Sequence, residues 1–328
     1  MSRLVVDEVR PQHLDPLADL AAGTHARARQ LEHLLPEAYS DPATVRPLVA
    51  EAVESGGFVA QRGDQVTAAI VGGVGRRSDT GGATGRLSAQ VPVLCATGHP
   101  DDLADCYAVA AREWVNSEAL RHVVTVLAGD RTTHDTLVSL GFGREQAYAV
   151  REIPPDGPVI DDDLPVDDRV TVRRATANDL DLVLPVTAVV TEHQELSPTF
   201  SMASPAWFDQ LPASMAAELA DETAYIHLAV DQHGTAVGLA ASYDDPMTPI
   251  VPEQSLGLSL VGVHPDQRGR GIGLLLTAAA LVDARLRGRR AVHADWRTTN
   301  LLSARFWPRR GFRPVAYRMV RTIDVTPF

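Results

Sequence analysis

The chain contains no lysine, because all thirty of its basic residues are arginine. This absence excludes regulation by acylation of its own lysine side chains. Cysteine is also scarce: only Cys95 and Cys106 are present, both in apolar surroundings and without Cys-x-x-Cys spacing. Two such residues make a structural disulfide or a zinc site unexpected, and they fit a reducing, cytoplasmic environment.

Long apolar runs are missing as well. No stretch of eighteen apolar residues occurs, and residues 1–7 lack the basic-then-apolar layout of a signal peptide. We therefore expect a cytoplasmic protein that does not interact with a membrane. The formal net charge of −12 disfavours nucleic acid as a partner, since binding to a phosphate backbone depends on clustered basic residues.

The length and the composition favour two folded domains. The chain has 328 residues, of which 45% are apolar and 22% are charged, enough for two cores of about 150 residues each. Residues 154–168 are rich in proline and aspartate, which is typical of an exposed linker. We predict domains at 1–153 and 169–328 on either side of this segment.

The two halves share a pattern. Each has an amphipathic helix, then a hairpin of alternating apolar and polar residues, and later a Gly-Phe pair before a closing strand. These features fall at 9–20 and 179–190, at 58–74 and 225–242, and at 141–142 and 311–312. The repetition predicts two copies of one α/β fold, each a mixed, mostly antiparallel sheet flanked by helices.

The most informative segment runs from residue 261 to residue 312. A strand ends at Val263 and is followed by a glycine loop over 268–273, an apolar helix over 271–287 and a second strand over 290–296. A glycine loop that begins a helix leaves backbone N–H groups aimed at one point, and the missing Cβ atoms let a phosphate approach them. We therefore predict an anion site. A Gly-Lys-Ser/Thr loop and the acidic residue of a dinucleotide site are both absent.

The order and spacing of these pieces resemble the GNAT superfamily of acyl-CoA N-acyltransferases. In that family the pattern Arg/Gln-x-x-Gly-x-Gly/Ala binds the pyrophosphate of coenzyme A, and here it falls on Arg268, Gly271 and Gly273. The resemblance implies that each half is GNAT-like, that acetyl-CoA is the cosubstrate and that no metal is needed. The implied cofactor-binding residues are Val261, Val263, Arg268, Gly269, Arg270, Gly271, Ile272, Gly273, Asn300, Ser303 and Trp307.

The charge distribution is compatible with a polyanionic ligand. Residues 265–328 contain thirteen arginines, four aspartates and no glutamate, a net charge of +9. Because the whole chain has a net charge of −12, the first 264 residues have a net charge of −21. One interpretation is a local positive field for coenzyme A. The other is a solvated basic face, which suits Arg287, Arg289 and Arg290.

The resemblance also implies direct attack by a neutral amine, with a backbone N–H near Val263 stabilising the oxyanion. Our first candidate for the base is Asp295, whose position matches the carboxylate base of GNAT enzymes that acetylate the N-terminal alanine of ribosomal proteins. The alternative is that Asp295 ends its strand or pairs with Arg297. Glu253 is the second candidate.

A later family motif is altered. It has Asn, a Tyr seven residues on and Gly-Phe at eleven and twelve, and it falls here on Asn300, Trp307, Gly311 and Phe312. The family Tyr protonates the departing thiolate, whereas an indole N–H is not a useful acid. Because a thiol has a pKa of about 8.5, its thiolate is a tolerable leaving group even without an acid to protonate it. We therefore predict an N-acetyltransferase acting on a primary amine. The alternative is a non-catalytic acyl-CoA-binding or sensing protein.

The first half departs further from the family. Where its phosphate loop is expected, residues 98–102 contain one glycine and two aspartates, and carboxylates repel a pyrophosphate. We therefore predict a degenerate first copy that does not bind acyl-CoA. The acceptor is expected to be a small-molecule or peptide amine met by residues 191–208, which alternatively form a solvated acidic loop. The oligomeric state stays open, with a homo-oligomer as one alternative.

Overall fold

The computed structural model describes residues 3–76, 87–91, 93–97, 99–160 and 169–324. The chain divides into two compact units. The first contains the described residues up to Tyr148 together with those from Pro314 onward, and the second runs from Ala149 to Arg313. Each unit is a mixed α/β structure, so the predicted fold class is confirmed.

The first unit contains two groups of paired strands. One group has the order β1-β2-β3-β6 and the other the order β4-β5-β7-β14. The strands are β1 (Leu4–Glu8), β2 (Gly57–Arg62), β3 (Gln65–Val71), β4 (Val74–Arg76), β5 (Leu87–Val91), β6 (Val93–Ala96), β7 (Arg121–Leu127) and β14 (Arg313–Thr322). A further strand, β8 (Gly143–Glu152), follows the last helix of this unit. The helices are α1 (Leu14–Arg29), α2 (Pro42–Glu54), α3 (Pro100–Asn116) and α4 (Arg131–Ser139).

The second unit contains one run of strands in the order β13-β12-β11-β10-β9. All neighbours in this run are antiparallel except β12 and β13, which are parallel. The elements are β9 (Val170–Arg174), α5 (Leu180–Glu195), α6 (Pro205–Ala220), β10 (Ala224–Asp231), β11 (Ala236–Tyr243), β12 (Ser255–Val263), α7 (Ile272–Leu286), β13 (Ala291–Arg297) and α8 (Leu301–Phe306). The predicted hairpins, the apolar helix and the strand after it are confirmed within one to three residues at each end.

The compact units differ from the predicted division at 153 and 169. The last strand, β14, pairs antiparallel with β7 from Ala316–Leu127 to Thr322–Arg121, which places it in the first unit. Residues 154–160 belong to the second unit, where the Arg285 side chain donates a hydrogen bond of 2.7 Å to the Gly157 carbonyl. The rest of the predicted linker, residues 161–168, lies outside the described residues.

Both faces of the sheet in the second unit are covered. Helices α5 and α6 share an apolar core with β10 and β11. A Cβ atom at Gly262 of β12 would lie 2.1 Å from Val190 Cγ2 of α5, and one at Gly238 of β11 would lie 3.0 Å from Leu276 Cδ1 of α7. These two glycines therefore let α5 and α7 approach the strands from opposite faces. That approach places the ends of both helices around β12.

Both cysteines lie in the core of the first unit and form no disulfide. Burial raises the pKa of each thiol to about 12, so neither is a reactive thiolate at neutral pH. In the described part of the chain, no helix combines the length and the apolar character needed to cross a membrane.

Candidate functional site

Strands β12 and β13 separate halfway along their length. They pair from Ser255–Ala291 to Leu258–Ala294, but β12 continues to Val263 and β13 to Arg297. A β-bulge lies at the point of separation, because Ala241 and Ser242 of β11 oppose Leu260 and Leu258 and leave Ser259 as the extra residue. A bulge bends its strand and increases the local twist. The result is a slot between the second halves of β12 and β13.

The glycine loop lies directly beyond β12. Gly269 and Gly271 have φ values of +76° and +79°, a left-handed conformation that glycine adopts at no steric cost. Gly271 is the N-cap of α7, and no side chain caps this helix. The backbone N–H groups of the first helical turn are therefore not satisfied by a cap, and the positive end of the helix dipole is directed at the loop.

The slot and the loop open into one cavity of about 440 Å³. Most of the residues predicted from the sequence line it. They are Val261, Val263, Arg268, Gly269, Gly271, Ile272, Gly273, Asn300, Ser303, Trp307 and the candidate base Asp295. The loop, the two strands and α8 therefore converge on a single space in the second unit.

Two predicted residues are not part of the lining. The Arg270 side chain turns to Gln267 and donates a hydrogen bond to its Oε1 atom. Glu253 is exposed in the turn before β12. It precedes β12 by two residues, whereas the first lining residue of that strand is Leu258. The geometry thus brings Asp295 to the cavity and leaves Glu253 outside it.

Asn300 and Trp307, at the two ends of α8, line the cavity from that helix. The Asn300 side chain accepts a hydrogen bond of 3.3 Å from the Ser303 amide, so Asn300 is the N-cap of α8. Trp307 is 6% exposed and packs edge-on against Phe306 and Phe312, with ring centroids 5.0 Å and 4.8 Å away. Tyr317, the tyrosine that follows this motif in the sequence, packs in the first unit beside Arg144.

His193, which lies in the segment 191–208 predicted to meet the acceptor amine, lines the cavity. Burial, and next the charge of Arg268, lower the pKa of its imidazole, while a hydrogen bond to the Asn300 side chain raises it. A signal for this placement exists in the sequence. His193 continues the stripe of Val183, Val186 and Val190 that faces β12, at three- and four-residue spacing along α5.

The cavity has a mixed charge. Arg268, Arg297 and Arg310 line it on the side of the loop and α8, and Asp295 lines it from β13. Arg268 is exposed, and its Nε atom donates a hydrogen bond of 3.1 Å to the Val263 carbonyl. No group of three or more His, Cys, Asp or Glu residues within the described ranges could hold a metal ion. The site therefore offers main-chain donors and arginines to an anion, and one carboxylate, Asp295, in the same cavity.

Residues 192–312 match the sequence model of the acetyltransferase (GNAT) family. Comparison with curated proteins gave no match. A GCN5-related N-acetyltransferase from Sphaerobacter thermophilus aligns with a TM-score of 0.61 and 17% identity, over 99% of this chain and 97% of that one. A tandem GNAT protein from the clavulanic acid biosynthesis pathway aligns with a TM-score of 0.53 and 16% identity, over 99% and 100%.

A third similar structure is a GCN5-related glucosamine N-acetyltransferase region of a fungal multi-domain β-N-acetylglucosaminidase. It has a TM-score of 0.52 and 15% identity, and the alignment covers 98% of this chain and 38% of that one. At these identities the structures establish the fold. Residues 192–312 therefore match a GNAT domain, and the chain as a whole shares the fold of these structures, one of which is a tandem GNAT protein.

Proposed function

We propose that this protein is an N-acetyltransferase that moves an acetyl group from acetyl-CoA to a primary amine, with the chemistry in the C-terminal domain. One observation carries the proposal. The uncapped start of α7 and the slot between β12 and β13 open into the same cavity, and a carboxylate lines it. An anion site beside a narrow slot is suited to a ligand with a diphosphate and a long arm.

The residues present fit coenzyme A. Gly269 and Gly271 keep the loop free of side chains, and Arg268 adds a positive charge beside the helix start. Val261 and Val263 line the slot where the pantetheine arm belongs. When bound, acetyl-CoA supplies the activated acetyl thioester. The protein itself binds the diphosphate, orients the arm and keeps water from the slot.

The segment between β9 and the glycine loop is strongly acidic. No arginine or lysine occurs between Arg174 and Arg268, whereas that stretch contains thirteen carboxylates. It supplies α5, α6, β10, β11 and β12. A net negative charge over this segment favours a protonated amine as the acceptor, although the charged residues that line the cavity itself are three arginines and Asp295.

Asp295 is the proposed base. It follows Ala294, the last residue of β13 that pairs with β12, and its exposed side chain lines the cavity. An amine with a pKa of roughly 8 to 10 is mostly protonated at neutral pH and must lose a proton before it attacks. A backbone N–H of β12 near Val263 is the proposed donor to the developing oxyanion.

Calorimetry and a thiol-release assay with a panel of amines test this function. We expect acetyl-CoA to bind one site per chain and at least one amine to be turned over. The second candidate function, an acyl-CoA sensor, is favoured by Trp307, which stands where the family has its acid. Binding at micromolar affinity without turnover of any amine would establish the sensor and reject the transferase.

Replacement of Asp295 separates the two candidate bases. We expect D295N to lower kcat by about 100-fold to 10,000-fold, the range for loss of a general base, with little change in acetyl-CoA affinity. E253Q tests the rival position outside the cavity, and D181N, at the exposed start of α5, is the control. If E253Q were the variant that lost activity, the assignment of Asp295 would be wrong.

A further inference from the structure

The cavity lacks the side chain that a transferase of this fold ordinarily uses to protonate the departing sulfur. Among its described lining residues, the titratable side chains are His193, Arg268, Asp295, Arg297 and Arg310. Arginine does not release its proton in proteins, and an ionised carboxylate cannot donate one. Of this set, only an imidazole both gives and takes a proton near neutral pH.

The position of His193 is fixed from two directions. Val190 lies against β12 at Gly262, where the missing side chain gives α5 its close approach. His193 is three residues further along the helix, on the same face, and it lines the cavity beside Arg268. The side chain of Asn300, which lines the same cavity, interacts with the His193 ring and raises its pKa. The ring therefore lies between α5 and the start of α8.

We propose that His193 is the acid that gives a proton to the departing sulfur, a role that the indole of Trp307 cannot perform. The proposal rests on the proposed acetyl transfer. It assigns separate roles to His193 and Asp295. His193, from α5, serves the leaving group, and Asp295, from β13, serves the attacking amine.

The proton balance closes with these two groups. The balance starts from the neutral amine, after Asp295 has passed the extra proton of the ammonium form to water. As the new nitrogen–carbon bond forms, Asp295 takes one proton from the amine nitrogen. As the carbon–sulfur bond breaks, the protonated His193 gives one proton to the sulfur. Asp295 then releases its proton to water and His193 takes one from water, so the net products are the amide and the thiol. No oxidant, reductant or metal is required.

The electrostatics favour this role once an anion is bound. In the protein alone, burial first and then the charge of Arg268 lower the pKa of His193, so the ring is mostly neutral at pH 7. A diphosphate at the glycine loop would offset the charge of Arg268 and raise that pKa. Asn300 from α8 acts in the same direction, since its hydrogen bond favours the protonated ring. The acid would therefore form when the cofactor is present.

Activity measurements on four variants test the role. We expect H193Q to lower kcat by about tenfold to 100-fold, at the low end for loss of a general acid because a thiolate leaves tolerably alone. Introducing a phenol by W307Y in the H193Q background should restore most of the rate, whereas W307F, which removes the same indole without adding a hydroxyl, should not. H233Q, in the exposed β10–β11 turn, should match wild type.

A second measurement needs no turnover. NMR titration of the imidazole signals should show the pKa of His193 rising when free coenzyme A binds, while His233 does not change. Calorimetry should give H193Q an affinity for acetyl-CoA within about threefold of wild type, because the role concerns chemistry and a threefold change is below 1 kcal/mol.

The outcomes separate two failures. If wild type acetylates amines and H193Q does so at the same rate and with the same pH profile, the role of His193 is overturned and the transferase stands. Equal rescue by W307Y and W307F would also overturn it, since packing alone would then explain the effect. If wild-type protein turns over no amine, the transferase itself is rejected, and the role of His193 with it.

Discussion

The starts of helices α3 and α7 show how the two units of this protein differ. At the start of α3, Asp102 is fully buried, and its carboxylate is held by the Arg62 guanidinium at 2.6 Å and 3.0 Å. At the start of α7 there is no acidic residue in the first turn and no side-chain cap. Helix α3 therefore has a carboxylate of the protein itself at its start, whereas the start of α7 is open to an anion from solution.

The buried pair explains why the first unit should not take a cofactor. The hydrogen bonds from Arg62 hold the pKa of Asp102 below its usual range, so the group stays charged at the positive end of the helix. A diphosphate would have to displace this carboxylate and would meet its repulsion. We propose on this basis that acetyl-CoA binds only in the second unit.

The largest expected effect comes from closing the open helix start. G271D adds a carboxylate to the α7 loop, as Asp102 does at α3, and forces a side chain onto a residue with φ of +79°. We expect the Kd for acetyl-CoA to rise by about 100-fold, or about 2.8 kcal/mol, when measured by calorimetry. The matched control is G234D, at a β10–β11 turn residue with φ of +81° and open space around it.

Unchanged acetyl-CoA affinity in G271D would show that the glycine loop does not contact the diphosphate. An equal loss of affinity in G234D would point instead to a general effect of left-handed strain on the second unit. Either result would remove the distinction between the two helix starts.

The next effect concerns stability in the first unit. D102N keeps the shape of the side chain but weakens its bonds to Arg62, and we expect it to lower the free energy of unfolding by about 1.5 to 3 kcal/mol, the range for hydrogen bonds to charged groups. Urea unfolding and hydrogen exchange of the α3 amides measure this loss. D105N, on the exposed face of the same helix, should have little effect.

The pH dependence of this stability has a defined sign. Because the folded-state pKa of Asp102 is depressed below its ordinary value of 3.8, the stabilisation is present above that value and is lost as the pH falls through the folded-state pKa. The difference between wild type and D102N should therefore shrink in strong acid. A difference that stayed constant there would show that Asp102 does not act through its charge.

The smallest effects compare two helix caps. Asn300 caps α8, and Asp130 caps α4 by accepting a hydrogen bond of 3.2 Å from the Thr133 amide. N300A and D130A should each cost about 1 kcal/mol of stability. Only N300A should also weaken acetyl-CoA binding, by about tenfold, the upper end for a neutral hydrogen bond. If the two variants bound acetyl-CoA with equal affinity, the role of Asn300 would be limited to capping α8.

Local signals in the sequence were sufficient to predict much of the second unit. The apolar stripe over 271–287 ends at Gly288, which adopts the left-handed conformation expected after a helix. The hairpin turn over 231–234 and the glycine loop are equally local. In each case the residues that determine the structure lie within a few positions of one another, so that pattern and turn chemistry are informative.

The remaining features depend on contacts between distant residues. Arg62 and Asp102 are forty positions apart, and His193 and Asn300 are 107 positions apart. The pairing of β14 with β7 joins Thr322 to Arg121. A periodic strand pattern predicts that β14 exists but not which edge it joins, because a strand pattern alone does not specify a distant partner.

The placement of β14 has a consequence for how the protein is made. Ribosomes release a chain from its N-terminus, so β7 emerges almost two hundred residues before the strand that pairs with it. Until then the nascent first unit carries an unpaired edge, which invites association with other chains. The first unit is therefore completed only when the last strand has been synthesised. A chain truncated at residue 313 would lack the strand that pairs with β7 in the first unit.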